Sequence, residues 1–166
     1  GYTLLLNTTS MATNSIAYKA PGYRMSDFVP IAPVISQALM LSVHNSVPAS
    51  NVAEFVAYAK ANPGRLTFAS SGTGTLIHLA GELFKSMAGV DMLHVPYKGM
   101  GMAFPDIVAG QVQVGISSTI SVMPLVNAGK LRVIGVTSAR RSSVAPDAAP
   151  IGGFILRASS RTSRFN

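Results

Sequence analysis

Cysteine is absent from the 166 residues of this chain. That excludes disulfide frameworks, cysteine-ligated zinc and thiol nucleophiles, and it suits a bacterial periplasmic protein. Acidic residues are almost as scarce: Asp27, Glu54, Glu82, Asp91, Asp106 and Asp147 are all of them. No two sit at an interval that suggests paired general acid–base work. The three histidines, His44, His78 and His94, lack metal-ligand spacing and read as packed or capping side chains. No apolar run reaches transmembrane length, and no internal repeat is visible. The eight methionines are scattered and read as core filler.

What is present is a globular composition, 48% hydrophobic and 11% charged. The formal charge of +7 raises nucleic acid as a partner. More than half of that excess lies in the last 28 residues, which carry five of the 13 Lys and Arg and only one acid. The remainder is mildly basic, without the dense stripe of a nucleic-acid binder, so no nucleic-acid partner is expected. No secretory signal is visible. The chain starts Gly1-Tyr2-Thr3-Leu4-Leu5-Leu6, a strand already under way, and native N-terminal sequence is expected to be missing.

From Val43 onward strands and helices alternate. Asn51 with Glu54 three residues later makes a helix start. Val52, Phe55, Val56 and Ala59 form its apolar face, and Asn62-Pro63-Gly64 stops it. Leu66–Ala69 is a strand and Ser70-Ser71-Gly72-Thr73-Gly74 a glycine-rich turn. A helix then opens near Thr75, with Leu76, Leu79, Ala80, Leu83, Phe84 and Met87 as its apolar face and Gly89 at its end. The strand Met92–Val95, the turn Pro96-Tyr97-Lys98-Gly99 and a helix from about Met102 to Ala109 follow. Pro105 is tolerable there only in the first turn. Gln111–Ile116 is a strand, Ser117-Ser118-Thr119 a turn into a helix, and Leu131–Thr137 a last strand. This rhythm predicts an α/β fold with a parallel sheet, helices on both faces and ligands beyond the carboxyl ends of the strands. Gly1–Asn7 reads as a strand, Thr8-Thr9-Ser10 as a polar turn, and Val34–Val43 as strand-like. Ala139–Asn166 has Arg and Ser clusters with little periodicity and reads as poorly ordered.

The Ser70–Thr75 turn is the strongest candidate site. Glycines allow close backbone approach, and hydroxyls and free N–H groups at a helix start receive carboxylate or phosphate. The same turn also reads as a plain capped connection. It is neither a P-loop nor a dinucleotide fingerprint, because Ile77 stands where the third glycine belongs. Tyr97-Lys98-Gly99 is a second candidate; a solvated lysine beside a packing tyrosine is its plainer reading. Ser117-Ser118-Thr119 and Thr8-Thr9-Ser10 are hydroxyl clusters that serve as caps or as binding loops.

These motifs carry a resemblance. Ala69–Thr75, then His78-Leu79-Ala80-Gly81-Glu82-Leu83-Phe84, then His94-Val95-Pro96-Tyr97-Lys98-Gly99 follow in order. Gly110-Gln111-Val112-Gln113, Ala128-Gly129-Lys130-Leu131-Arg132 and Val136-Thr137-Ser138 continue the series, and Val47-Pro48, Ala53-Glu54 and Asn62-Pro63-Gly64 precede it. Over about residues 1–147 the chain resembles the tripartite tricarboxylate transporter substrate-binding (Bug) family. The resemblance implies a periplasmic solute receptor of the Venus-flytrap type, monomeric at full length and without cofactor or catalytic residues. Two α/β lobes would close on a small carboxylate-bearing solute and deliver it to membrane transporter subunits. Residues 1–43 and 131–147 would be a partial first lobe, 44–130 the second lobe, and 148–166 a divergent, disordered tail. Ser70, Ser71, Gly72, Gly74 and Thr75 would form the carboxylate turn, Tyr97, Lys98 and Gly99 would line the cleft, and Thr8 and Thr9 would come from the first lobe.

Three departures stand out. The family's N-terminal strand and glycine-rich ligand loop have no counterpart here, so the chain reads as a fragment. Ser117 stands where the family usually carries aspartate, and is a candidate ligand contact in its place. From Ala148 the sequence leaves the family pattern, which suggests a frameshifted or truncated reading frame. Two other readings remain: an α/β enzyme, or an effector-sensing module, acting on a small anionic ligand.

Overall fold

The chain is described by a computed structural model over residues 3–8, 10–34, 38–139 and 145–152. An N-terminal segment holds α1 (Ser10–Ala17) and a one-turn 3-10 helix (Met25–Asp27). The α/β alternation begins at β1 (Leu39–His44) and runs through α2 (Val52–Ala61), β2 (Leu66–Ser70), α3 (Leu76–Ala88) and β3 (Met92–Pro96). It continues through α4 (Met100–Val108), β4 (Val114–Ser118), α5 (Thr119–Asn127), β5 (Leu131–Val136) and the short β6 (Ala149–Pro150).

One six-stranded sheet takes the order β3-β2-β4-β1-β5-β6. It is mixed, where a parallel sheet was expected. β2 runs parallel to β3 and β4, but β1 is inserted antiparallel between β4 and β5. The expectation failed because a helix between two strands specifies their direction only when they are joined by a crossover. Among the described residues no strand of this sheet precedes β1.

The sheet also runs through the boundaries expected at 43/44 and 130/131. Leu39 pairs with Ser118 and His44 with Leu131, so 39–44 and 131–136 are strands of the same sheet as β2–β4. Residues 148–152 were expected in a disordered tail, yet Ala149 and Pro150 pair with β5, and Ala148 and Ile151 are buried. The remainder of that tail, 153–166, lies outside the described residues. The strand expected over 1–7 does not form across 3–7; a strand needs a neighbour for its N–H and C=O groups, and among the described residues none pairs with this segment.

Helices cover both sheet faces, which is why β1 is buried at four consecutive positions. Leu41, Val43, Phe68, Ile116 and Ile134 meet Phe55 of α2 and Phe84 of α3 on one face. Met40, Ala69 and Val136 meet Ala103 and Ile107 of α4 and Val122 of α5 on the other. Alternate side chains of one strand thus feed two cores.

Local signals set the helix ends. Asn51 caps α2 by accepting from the Glu54 amide at 3.0 Å, and Glu54 reaches back to the Ser50 amide at 2.7 Å. Thr75 caps α3, and Gly89 ends it in the left-handed conformation. α4 starts two residues earlier than its pattern suggested, so Pro105 lies beyond its first turn.

The apolar face of α3 also differs from expectation. Leu76, Leu79, Leu83 and Met87 are exposed, while Gly81, Phe84 and Ala88 are buried, with Ile77 and Ala80 packed against the cores. The helix carries apolar residues on two stripes, and the one containing Gly81 approaches the sheet. A Cβ at Gly81 would run into the fully buried Phe68 ring. Gly81→Ala must therefore displace Phe68, at about 1–3 kcal/mol for overpacking. Urea unfolding should show a lower midpoint at unchanged slope; an unchanged midpoint would contradict this packing.

Candidate ligand-binding site

The carboxyl ends of β2, β4 and β5 and the amino end of β1 share one sheet edge. Leu39 marks that edge: it sits opposite Ser118, and its amide donates to the Thr137 hydroxyl at 2.9 Å. A cavity of about 350 Å³ opens there, lined by Thr8, Leu39, Ser71, Thr75, Leu76, Ile77, Met100, Ser118 and Ser121.

Three helices begin at this cavity. Thr75, Leu76 and Ile77 are the cap and first residues of α3, Met100 is the first residue of α4, and Ser118 and Ser121 belong to the first turn of α5. First-turn N–H groups have no intrahelical acceptor, and each helix start carries about half a positive charge. The cavity wall adds five hydroxyls and no charged side chain. An anion would meet donors there and no carboxylate.

The glycine-rich turn is held by its own hydrogen bonds. The Thr75 hydroxyl donates to the Gly72 carbonyl at 2.7 Å and receives the Ser71 hydroxyl at 3.2 Å and the His78 amide at 3.4 Å. The Ser70 hydroxyl is buried; it receives the Gly72 amide at 3.1 Å and lies 2.6 Å from His94 Nε2. The Gly74 amide donates to His78 Nδ1 at 3.1 Å. Gly72 holds φ at 129°, a conformation that side chains with a Cβ rarely adopt.

Of the residues expected from sequence, Thr8, Ser71 and Thr75 line the cavity, and Thr9 lies outside the described residues. Ser70, Gly72 and Gly74 stand behind the wall and shape the turn. The Tyr97 amide donates to the Ser70 carbonyl at 3.0 Å, tying the second turn to the first. The Tyr97 hydroxyl points away and donates to Asp106 at 2.7 Å. Lys98 is exposed, and Gly99 is the residue before α4, with φ 133°. Ser117 is buried with its hydroxyl unpartnered and does not line the cavity.

Leu39, Ile77, Met100 and Ser121 line the cavity without having been singled out; Leu76 was expected on the apolar face of α3, and Ser118 in a cluster read as caps or a binding loop. For Ser118 and Ser121 the signal was present: a serine at the end of a strand followed three residues later by another is a helix cap. Ser118 accepts from the Ser121 amide at 3.4 Å. Among the described residues no cluster of three histidines or acids could hold a metal, and no helix is long and apolar enough to cross a membrane.

A mixed α/β sheet whose edge gathers three helix starts around a cavity with five hydroxyls and no acid is an arrangement suited to holding a small anion. The sequence profile described as tripartite tricarboxylate transporter family receptor matches residues 1–165, and the chain belongs to that family. Members of the family are receptors, not enzymes. A protein from the tcbD-tcbE intergenic region of Pseudomonas sp. strain P51 is 36% identical over 148 residues, which is 89% of this chain and 44% of that one. The chain thus spans less than half the length of that relative. The periplasmic binding protein BugD superposes with a TM-score of 0.81 at 29% identity, over 87% of this chain and 49% of its own. R. palustris Rpa4515, solved with adipate, gives a TM-score of 0.80 at 34% identity over the same shares.

Burial first, and then the hydrogen bond and charge of Asp106, push the Tyr97 phenol up to about 12. Its hydrogen bond joins the turn before α4 to the helix itself. Tyr97→Phe should destabilise the fold by about 1–2 kcal/mol at neutral pH. The raised value means this contribution is fully present below the phenol's ordinary value of 10.0 and fades as pH rises through about 12. The difference between parent and variant, followed by urea unfolding, should shrink over that interval; a constant difference would contradict the pairing.

Proposed function

We propose that this chain is the core of one lobe of a periplasmic receptor that binds a small carboxylate-bearing solute. The receptor delivers it to the membrane subunits of a tripartite tricarboxylate-type transporter. The observation that carries the reading is the convergence of the α3, α4 and α5 starts on a cavity lined by five hydroxyls and no acid. In this reading Ser71, Thr75, Ser118 and Ser121 receive one carboxylate together with the first amides of the three helices. Thr8 reaches it from the other side. Ser70, Gly72, Gly74, Tyr97 and Gly99 shape the two turns. The adipate in R. palustris Rpa4515 supports a dicarboxylate as the solute class, and the BugD likeness supports the periplasm as its place.

The opposing lobe would come from residues 3–34 together with sequence that this chain does not carry. Exposed Leu4, Leu6 and Ile31, each about 80% accessible, support this, because apolar side chains in such a run ordinarily pack against a core.

The magnitudes set the expected affinity. Each helix start contributes roughly 0.3–1 kcal/mol to a nearby anion, so three supply about 1–3 kcal/mol. Hydroxyl hydrogen bonds add about 1 kcal/mol each. The sum reaches the roughly 4 kcal/mol of a millimolar complex, and tighter binding requires the second lobe. Adipate titrated into the isotope-labelled chain should shift the amides of 72–78, 100–102 and 118–121, saturating in the millimolar range. Shifts scattered over the surface, or none, would overturn the proposal.

A further inference from the structure

We infer that His78 is a positioning residue for the anion-receiving turn. Its ring nitrogen accepts the Gly74 N–H and so fixes the turn that carries Ser71 and Thr75 to the solute. The inference rests on the carboxylate reading of the cavity.

The geometry is specific. Gly74 donates its amide to His78 Nδ1 at 3.1 Å. Nδ1 can accept only if it carries a lone pair, so the neutral ring keeps its proton on Nε2. The ring is held in place. It stacks on His94 at 4.0 Å between centroids, and His94 stacks on Phe68 at 4.9 Å. Phe68 is fully buried against Gly81. The second imidazole serves the same turn, since His94 Nε2 lies 2.6 Å from the Ser70 hydroxyl that receives the Gly72 amide. Two stacked rings thus tie down two glycine amides, one directly and one through a serine. Ser71 lies between those glycines and Thr75 follows them; both line the cavity.

The charged groups around the stack are few. Glu82 and Lys85 face it from α3 and pair with each other at 3.0 Å. Lys85 also lies over the Phe68 ring at 5.7 Å. β2 offers only Phe68 and Ser70, and the Tyr18 hydroxyl approaches from the N-terminal segment beside Gly74. Burial, and then the neighbouring His78, lower the affinity of His94 for a proton. A ring without the Nδ1 acceptor would leave the Gly74 amide unanchored. The loss of one neutral hydrogen bond corresponds to about a fivefold drop in affinity.

Nitrogen NMR of the histidine rings, amide exchange at Gly74 and adipate titration, all at about pH 8 where free histidine is neutral, test this. Two variants separate the roles. His78→Asn places an amide oxygen where Nδ1 sits; His78→Phe keeps the stack and removes the acceptor. The parent chain should show the Nε2–H form and a protected Gly74 amide. His78→Phe should leave Gly74 unprotected and bind adipate about fivefold more weakly, and His78→Asn should restore both. An Nδ1–H ring, a Gly74 amide equally protected in the parent and His78→Phe, or no rescue by His78→Asn would overturn the inference. If adipate does not bind, the carboxylate reading fails, and the Gly74 exchange and ring tautomer still decide the role of His78. They also decide it should His78→Asn not fold.

Discussion

The in-register insertion of β1 between β4 and β5 is the constraint on which the site depends. Leu39 opposite Ser118 and Thr137 bonded to Leu39 align one edge of the sheet at a single level. Because β1 is antiparallel, its amino end meets the carboxyl ends of its neighbours there, and the chain that precedes it arrives at the edge where α3, α4 and α5 begin. That is how Thr8, far away in sequence, comes to line the same cavity as Thr75 and Ser118. A slip of one residue would exchange Met40 and Leu41 between the two cores, so burial on both faces specifies the register.

A second chain of contacts connects the core to the cavity. Gly81 lets α3 lie close on Phe68, Phe68 stacks on His94, His94 on His78, and His78 holds Gly74. Packing in the sheet is thereby transmitted to the position of two amides in a turn. Hydroxyls and N–H groups without charged side chains suit reversible capture of an anion. They orient a carboxylate without the desolvation cost of a buried lysine or arginine.

Much of this was readable from local signals. The Asn51–Glu54 cap, the Thr75 start and the Gly89 end depend on residues within a few positions of one another, and the structure follows them. The direction of β1 was not readable, because strand pairing over nearly a hundred residues leaves no local mark. The buried face of α3 was misread for a different reason: two apolar stripes satisfy one helical period, and only contact with Phe68 selects the one with Gly81. At the site, the turn Ser70–Thr75 was legible and its division of labour was not. Ser117 and Ser118 are adjacent hydroxyls on opposite sides of a strand. Alternation sends one into the sheet, where its hydroxyl is unpartnered, and the other to cap α5 at the cavity. The choice between them depends on where β4 ends.

The central claim is that the three helix starts receive one carboxylate. A crystal structure of this chain grown with adipate, or of a longer receptor containing it, tests that most directly. One carboxylate should lie within hydrogen-bond distance of the first amides of α3 and of the Thr75 or Ser118 hydroxyl. Adipate bound elsewhere, with the Leu76, Met100 and Thr119 amides solvated, would contradict the account.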